Sequence, residues 1–326
     1  MKVLLSIQGG GTRGIASAVF LRRLEEELIS RYGGTLQDYI HSYSGTSIGS
    51  IIATYLATGR TAGNMVDILT QRRFLDMVLT KHILNQIFGW IPGIKYLIPQ
   101  YVGHPKTRVI NELIGEDLYL SDVSRDLMII TYNITKRTLT SWNNFDDSLL
   151  DPNLASLIDA SSAAPGYFPS IMIKTREGGG QSSAHYTIPG LSYPDADDYH
   201  IDGGVGASCP VSVSYFMLKK KYPDEDIKVL SIGNGYQTGA IWHGHGTTLG
   251  WLTGGLQYSI VDAPTQIYNS EAFLSSNAFM RVDVPISDGM SGKVDASSVD
   301  EIVKLIDLGN SMFDQYGEEA IRFLTR

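Results

Sequence analysis

The chain has 326 residues, 43% hydrophobic and 18% charged, with a formal net charge of −8. That composition belongs to an ordinary globular protein. The negative balance argues against a nucleic-acid partner and gives no long-range attraction to anionic lipid. A single cysteine, Cys209, excludes an intrachain disulfide.

In chain order, Met1 leads straight into KVLLSI, too short for the apolar core of a signal peptide, so a cytoplasmic protein is expected. Lys2 to Ile7 is a nearly continuous apolar run, as in a strand buried on both faces. Next comes SIQGGGTRGIAS, Ser6 to Ser17, spelling Gly9-x-Gly11-x-x-Gly14. Such a loop brings backbone N–H groups to an anion at a helix N-terminus. The following helix is expected to run to Arg31 and stop at Gly33-Gly34. A weaker strand, Tyr39 to Ser44, enters SGTSIGS, and a second helix covers Ile48 to Ala57.

The most apolar longer stretch, Ile83 to Pro99, carries Asn85, Gln86, Lys95 and two prolines, so it is no spanning helix. The overlapping run Ile87 to Tyr101 is aromatic and proline-broken, which suits an interfacial lid or acyl-chain wall, although ordinary packing explains it as well. Strands are expected at Leu127 to Thr135, Thr138 to Trp142, Tyr199 to Asp202 and Ile227 to Gly235. Helices are expected over Asn153 to Ser161, Pro210 to Lys220 and Val299 to Phe323. Glu177 to Asp198 and Tyr236 to Gly255 read as loops. Alternation of this kind predicts a three-layer α/β/α sandwich with a mostly parallel central sheet.

Two features carry chemistry. GTSIG, Gly45 to Gly49, matches G-x-S-x-G where a strand must turn sharply into a helix; both glycines relieve crowding and Ser47 is presented at the carboxyl edge of the sheet. A serine nucleophile needs a base. Of the seven histidines, His41 lies just upstream of the serine, and His82, His104 and His185 fall in polar or irregular stretches. His243 and His245 form an H-x-H pair lacking a third ligand at suitable spacing, so no metal site is expected. His200 is read as a packing residue. Asp202, at the head of the Asp-Gly203-Gly204 turn, ends a strand on the edge where ligands bind in open α/β sheets, and is the best base available.

Together these pieces resemble the patatin-like phospholipase family in four ordered places: GGGTRG, GTSIG, ASSAAPGYFP (Ala160 to Pro169) and DGG at Asp202. VLSIGNG, Val229 to Gly235, is similar to the family's strand after the aspartate. The resemblance implies one catalytic domain over residues 1–326, with a motif-bearing core at 2–235 and a C-terminal helical elaboration from about 236 to 326. It implies a Ser47–Asp202 dyad, an oxyanion hole of Gly9, Gly10 and Gly11, with Arg13 and Gly14 completing the loop, and no cofactor. Arg13 would either fix that loop or meet a phosphate. The expected activity is acyl hydrolysis of a phospholipid or lysophospholipid, with transient contact at a membrane surface. The family also contains enzymes held off until an activator arrives.

Gln8 stands where the family often has Asp, and GASCP (Gly206 to Pro210) replaces the more usual Asn-x-Pro. Both departures bear on loop geometry. Two rivals remain: a catalytically silent or activator-gated lipid-binding protein of the same fold, and a dinucleotide enzyme. The second requires an acid after the second strand, where YSGTS stands instead.

Overall fold

The computed structural model describes residues 1–83, 86, 99–146, 150–176, 198–238, 264–275, 277–286 and 289–326. The described strands are β1 (Lys2–Ile7), β2 (Ser42–Thr46), β3 (Asp126–Asn133), β4 (Thr138–Asn143), β5 (Ile171–Met172), β6 (Tyr199–Asp202), β7 (Ile227–Ile232) and β8 (Phe279–Val282). The helices are α1 (Gly14–Tyr32), α2 (Leu36–Tyr39), α3 (Ile48–Ala57), α4 (Ala62–Thr70), α5 (Arg72–Val78), α6 (Gly103–Ile114), α7 (Leu154–Ser161), α8 (Gly204–Ala207), α9 (Val211–Lys221), α10 (Pro264–Phe273) and α11 (Val299–Thr325).

β1 is central, with β2 and β7 on its two sides; β3 follows β2 and β8 follows β7, all in parallel register. β4 and β6 run antiparallel to β3, and β5 antiparallel to β6, so the sheet is mixed but mostly parallel. Side chains alternate across a strand, and the sheet therefore divides two cores. Val3, Leu5 and Ile7 of β1 join Leu127, Ile129, Leu230 and Ile232 against the larger helical layer, which includes α1, α3, α4 and α11. Leu4, Met128, Ile227 and Val229 face a smaller layer built on Val211, Met217 and Leu218 of α9 and on Leu274. This is the three-layer sandwich anticipated from the sequence.

Most expected elements appear within a few residues of their anticipated bounds. α1 ends at Gly33, which takes φ +74° and donates its N–H to the Ile29 carbonyl at 3.0 Å, the left-handed stop that glycine favours. Tyr39 ends a short helix, and β2 begins at Ser42, later than the expected Tyr39. The C-terminal third is not purely helical: FMRV forms β8 and completes one side of the sheet. Four residues give too little alternation to mark a strand unaided.

β3 sets the geometry of the site. Residues 128–133 of β3 pair with β4, residues 126–130 with β2 and residues 131–133 with β6. A strand has only two edges, so β2 and β6 must share the edge opposite β4. They approach from opposite directions and stop at consecutive positions, Thr46 opposite Ile130 and Asp202 opposite Thr131. Two residues 156 positions apart in sequence are thereby brought tip to tip.

The long α11 packs along α1, and the crossing is closest at Gly309. A Cβ there would lie 2.6 Å from both the Ala16 carbonyl oxygen and Val19 Cβ. Replacing Gly309 by Ala gains about 1 kcal/mol of helix propensity, but forces two backbones apart at a cost of about 1–3 kcal/mol. The expected net result in urea unfolding is destabilisation; a stabilised Gly309→Ala variant would show that the helices are not held this closely.

Candidate active site

Ser47 follows β2 and precedes α3, with φ +57° and ψ −128°. A non-glycine residue in this region is held against its own preference by its surroundings. Gly45 and Gly49 make the bend feasible. A Cβ on Gly45 would fall well inside contact of the Gly49 carbonyl, and one on Gly49 inside contact of the Ile7 carbonyl. Gly14 does the same for the neighbouring helix, where a Cβ would collide with the Ile48 side chain. Ser47 is nearly buried, at 9% exposure.

The Ser47 hydroxyl lies close enough to the Asp202 carboxylate to favour its charged form. Asp202 accepts the Gly204 N–H at 2.7 Å. Burial raises its pKa to about 6, opposed by the Ser47 hydroxyl, the Gly204 N–H and the charge of Lys106. Gly203 lets the turn lie against β3, since a Cβ would strike the Ile130 carbonyl.

A segment with no role assigned from sequence holds both residues. Ser161 Oγ accepts the Ser47 N–H at 3.1 Å and donates to the Ile130 carbonyl at 2.7 Å. Two residues on, the Ala163 carbonyl accepts the Asp202 N–H at 3.0 Å. The ASSAAPGYFP stretch had already marked this region, and the structure makes its SSA portion a bracket across the two strand tips.

The glycine loop lies beside the serine: a Cβ on Gly9 would be 3.1 Å from Ser47 Cβ. The Gly9 N–H, one of three amides expected to face the site, instead donates to the Ser208 carbonyl at 3.0 Å. The Gly10 and Gly11 N–H groups have no hydrogen-bond partner among the described residues. Asn234 Nδ2 donates to the Gly9 carbonyl at 2.8 Å. In a trans peptide the carbonyl and the following N–H point in opposite directions, so this bond also fixes the direction of the Gly10 N–H. Gly11 takes φ +59° and lies under Val294, whose carbonyl accepts the Thr12 N–H at 2.8 Å.

Arg13 is buried and donates to the carbonyls of Asn234 (3.3 Å) and Gly235. Both contacts tie the start of α1 to the segment after β7. Gln8 accepts from Arg281, which also pairs with Asp283 at 2.6 Å and donates to Ser231 at 2.8 Å. The carboxylate that balances this arginine therefore comes from β8's far side in sequence, while an amide stands before the glycines. The GASCP departure is equally concrete: Ala207 O accepts from Thr46 Oγ1 at 2.7 Å, and Ser208 O from Gly9.

His41 and His200 have other partners. His41 Nδ1 accepts the Val3 N–H at 3.2 Å, at the opposite end of the sheet from Ser47. His200 is fully buried, bonded to Thr131 Oγ1 at 2.9 Å and packed on Trp142; burial lowers its pKa to about 4, so it is a neutral packing residue. His185, His243 and His245 fall outside the described residues, as does nearly all of Ile83 to Pro99. Among the described residues no helix is long and apolar enough to cross a membrane.

The fold and site together define an α/β protein with a serine elbow facing a buried aspartate. The patatin-like phospholipase model matches residues 5–215, and the chain belongs to that family. It is 27% identical to a cGAMP-activated phospholipase of Vibrio cholerae over 71% of this chain and 63% of that protein. It is 28% identical to patatin-like protein 2 of Arabidopsis thaliana over 64% of this chain and 50% of that one. The chain thus spans between half and two thirds of the length of these two relatives. Among solved structures it is similar to human GIVD cytosolic phospholipase A2, with TM-score 0.49 and 11% identity, covering 99% of this chain and 58% of that one.

Because the Asp202 pKa is raised on folding, its ionisation opposes the folded state. Below the ordinary carboxylate value of 3.8 both states are protonated and there is no penalty; the penalty grows up to about pH 6 and is constant above. Asp202→Asn should therefore stabilise the protein at neutral pH, by up to about 3 kcal/mol, and the gain should vanish in acid. Urea titrations at the two pH values check this; a destabilised variant at neutral pH would mean the carboxylate is not desolvated.

Proposed function

We propose that the chain is a lipid acyl hydrolase of the phospholipase A or lysophospholipase type, acting through Ser47 and Asp202 without a metal. The observation that carries the reading is the Ser47 hydroxyl, on a strained elbow, set against a buried carboxylate whose pKa is raised to about 6. A base works best when its pKa is close to the operating pH, and about 6 is far better suited to the task than an ordinary aspartate.

Asp202 takes the hydroxyl proton as Ser47 Oγ attacks an ester carbonyl. The oxyanion forms beside the N-terminus of α1, where the Gly10 and Gly11 amides are its donors. The alcohol leaves with the proton from Asp202, and water, deprotonated by the same carboxylate, releases the fatty acid. The Gly9 amide, bonded to Ser208, is left out of the hole. The substrate is a glycerophospholipid or lysophospholipid met at a membrane surface. The name of the Vibrio relative makes a bound activator part of the same proposal.

Fatty-acid release from mixed phospholipid vesicles, read by mass spectrometry, tests this. Ser47→Ala should lose ~10³-fold or more. Equal release by wild type and variant would leave a silent lipid-binding protein as the better reading. Gly10→Ala, whose Cβ would collide with the Asn234 side chain that aims the loop, should lose ~10²–10³-fold in kcat. The wild-type kcat/KM should rise with pH through about 6, where Asp202 ionises, and then level off; a profile flat through that region would remove Asp202 as the base.

A further inference from the structure

Behind the dyad lies a buried charge that the proposed reaction does not use. Lys106 of α6 is 2% exposed and reaches the C-terminal end of α7. Its ammonium donates to the Asp159 carbonyl at 2.8 Å and to Ser162 Oγ at 3.1 Å, and pairs with Asp159 Oδ1 at 2.8 Å. Ser162 Oγ uses its own proton on the Ile158 carbonyl at 2.8 Å, so the lysine must be the donor. Burial lowers the pKa of the lysine, and the carboxylate of Asp159, paired with it, opposes that. The Phe168 ring, 4.5 Å away, closes another side of the ammonium. Asp159 is itself held by Thr107 Oγ1 at 2.6 Å.

The geometry points to Lys106 as a positioning residue for the dyad: it pins the Ser161–Ala163 bracket and places a fixed positive charge behind Asp202. This rests on the hydrolase reading above. The bracket begins where Lys106 binds. Asp159 O and Ser162 Oγ flank Ser161, which holds the Ser47 N–H, and Ala163 follows with the Asp202 N–H. A cation also suits this place, because the carbonyls at the end of α7 leave partial negative charge there.

The electrostatic part follows from what surrounds the carboxylate. The groups acting on Asp202 are the Ser47 hydroxyl, the Gly204 N–H and one charge, that of Lys106; the charges acting on Lys106 are Asp159 and Asp202. Burial favours a protonated Asp202, unable to accept the serine proton, and Lys106 opposes it. Asp159 holds the lysine charged from its other side. Losing Lys106 should therefore raise the Asp202 midpoint.

The test is kcat/KM against pH on a soluble p-nitrophenyl ester, for wild type, Lys106→Gln, Lys106→Met and Lys106→Arg, with Ser47→Ala as control. In Lys106→Gln the acid limb should move up by about half a unit or more. Lys106→Arg should keep the wild-type midpoint. A purely structural ion pair would lower the plateau or the stability and leave the midpoint in place. A profile of Lys106→Gln that superposes on wild type after scaling overturns the assignment. Should Lys106→Gln fail to fold, the apolar Lys106→Met decides in its place, an upward shift supporting the assignment and an unmoved limb overturning it. Activity that survives in Ser47→Ala would instead remove the hydrolase reading itself.

Discussion

The site depends on a constraint of strand pairing: one edge of β3 is shared by two strands that meet end to end. β2 runs parallel to β3 and stops opposite Ile130, while β6 runs antiparallel and stops opposite Thr131. Ser47 stands just past the end of one strand and Asp202 is the last residue of the other, so the two are neighbours in space. No loop has to reach across the sheet to bring serine and aspartate together. The precision comes from backbone hydrogen bonding, which in a buried sheet cannot be given up without leaving polar groups unpaired.

Three structural layers build outward from that junction. The glycines at 45, 49 and 203 let backbones approach where side chains would not fit. The Ser161–Ala163 bracket then ties one amide from each strand tip. Lys106 and Asp159 hold the bracket in turn. Each layer is buried, so each polar group in it must find a partner. The strain at Ser47 is sustained because its surroundings are over-determined.

Legibility in the sequence follows the range of the interactions. GTSIG and DGG were readable because a sharp turn imposes glycines at fixed short spacing, and Gly33 because a helix stop does the same. Pairing Ser47 with Asp202 was reached by finding no suitable histidine and by family resemblance, since nothing local in either motif refers to the other. Ser161 lay in a stretch marked as a motif without any indication of what it bonded. Asn234 likewise lay within VLSIGNG, marked without its partner, and Lys106 carried no signal: a lysine in GHPKTRVINEL reads as a solvated helix face until the fold buries it. The Gly9 amide shows the converse, where a motif named the loop correctly but not which of its donors the structure leaves unpaired. β8 escaped because four residues show too little periodicity.

The glycine loop also shows that recognition and function have different extents. The family pattern ends at residue 215, yet Gly11 is shaped by Val294, Gln8 is held by Arg281, and the Gly235 amide is anchored on Asp283 at 2.8 Å. The recognisable part contains Ser47 and Asp202 but not the supports that aim the loop beside them. Divergence within a family of this kind can therefore retune one half of the candidate site from residues beyond the family pattern, leaving the signature motifs untouched.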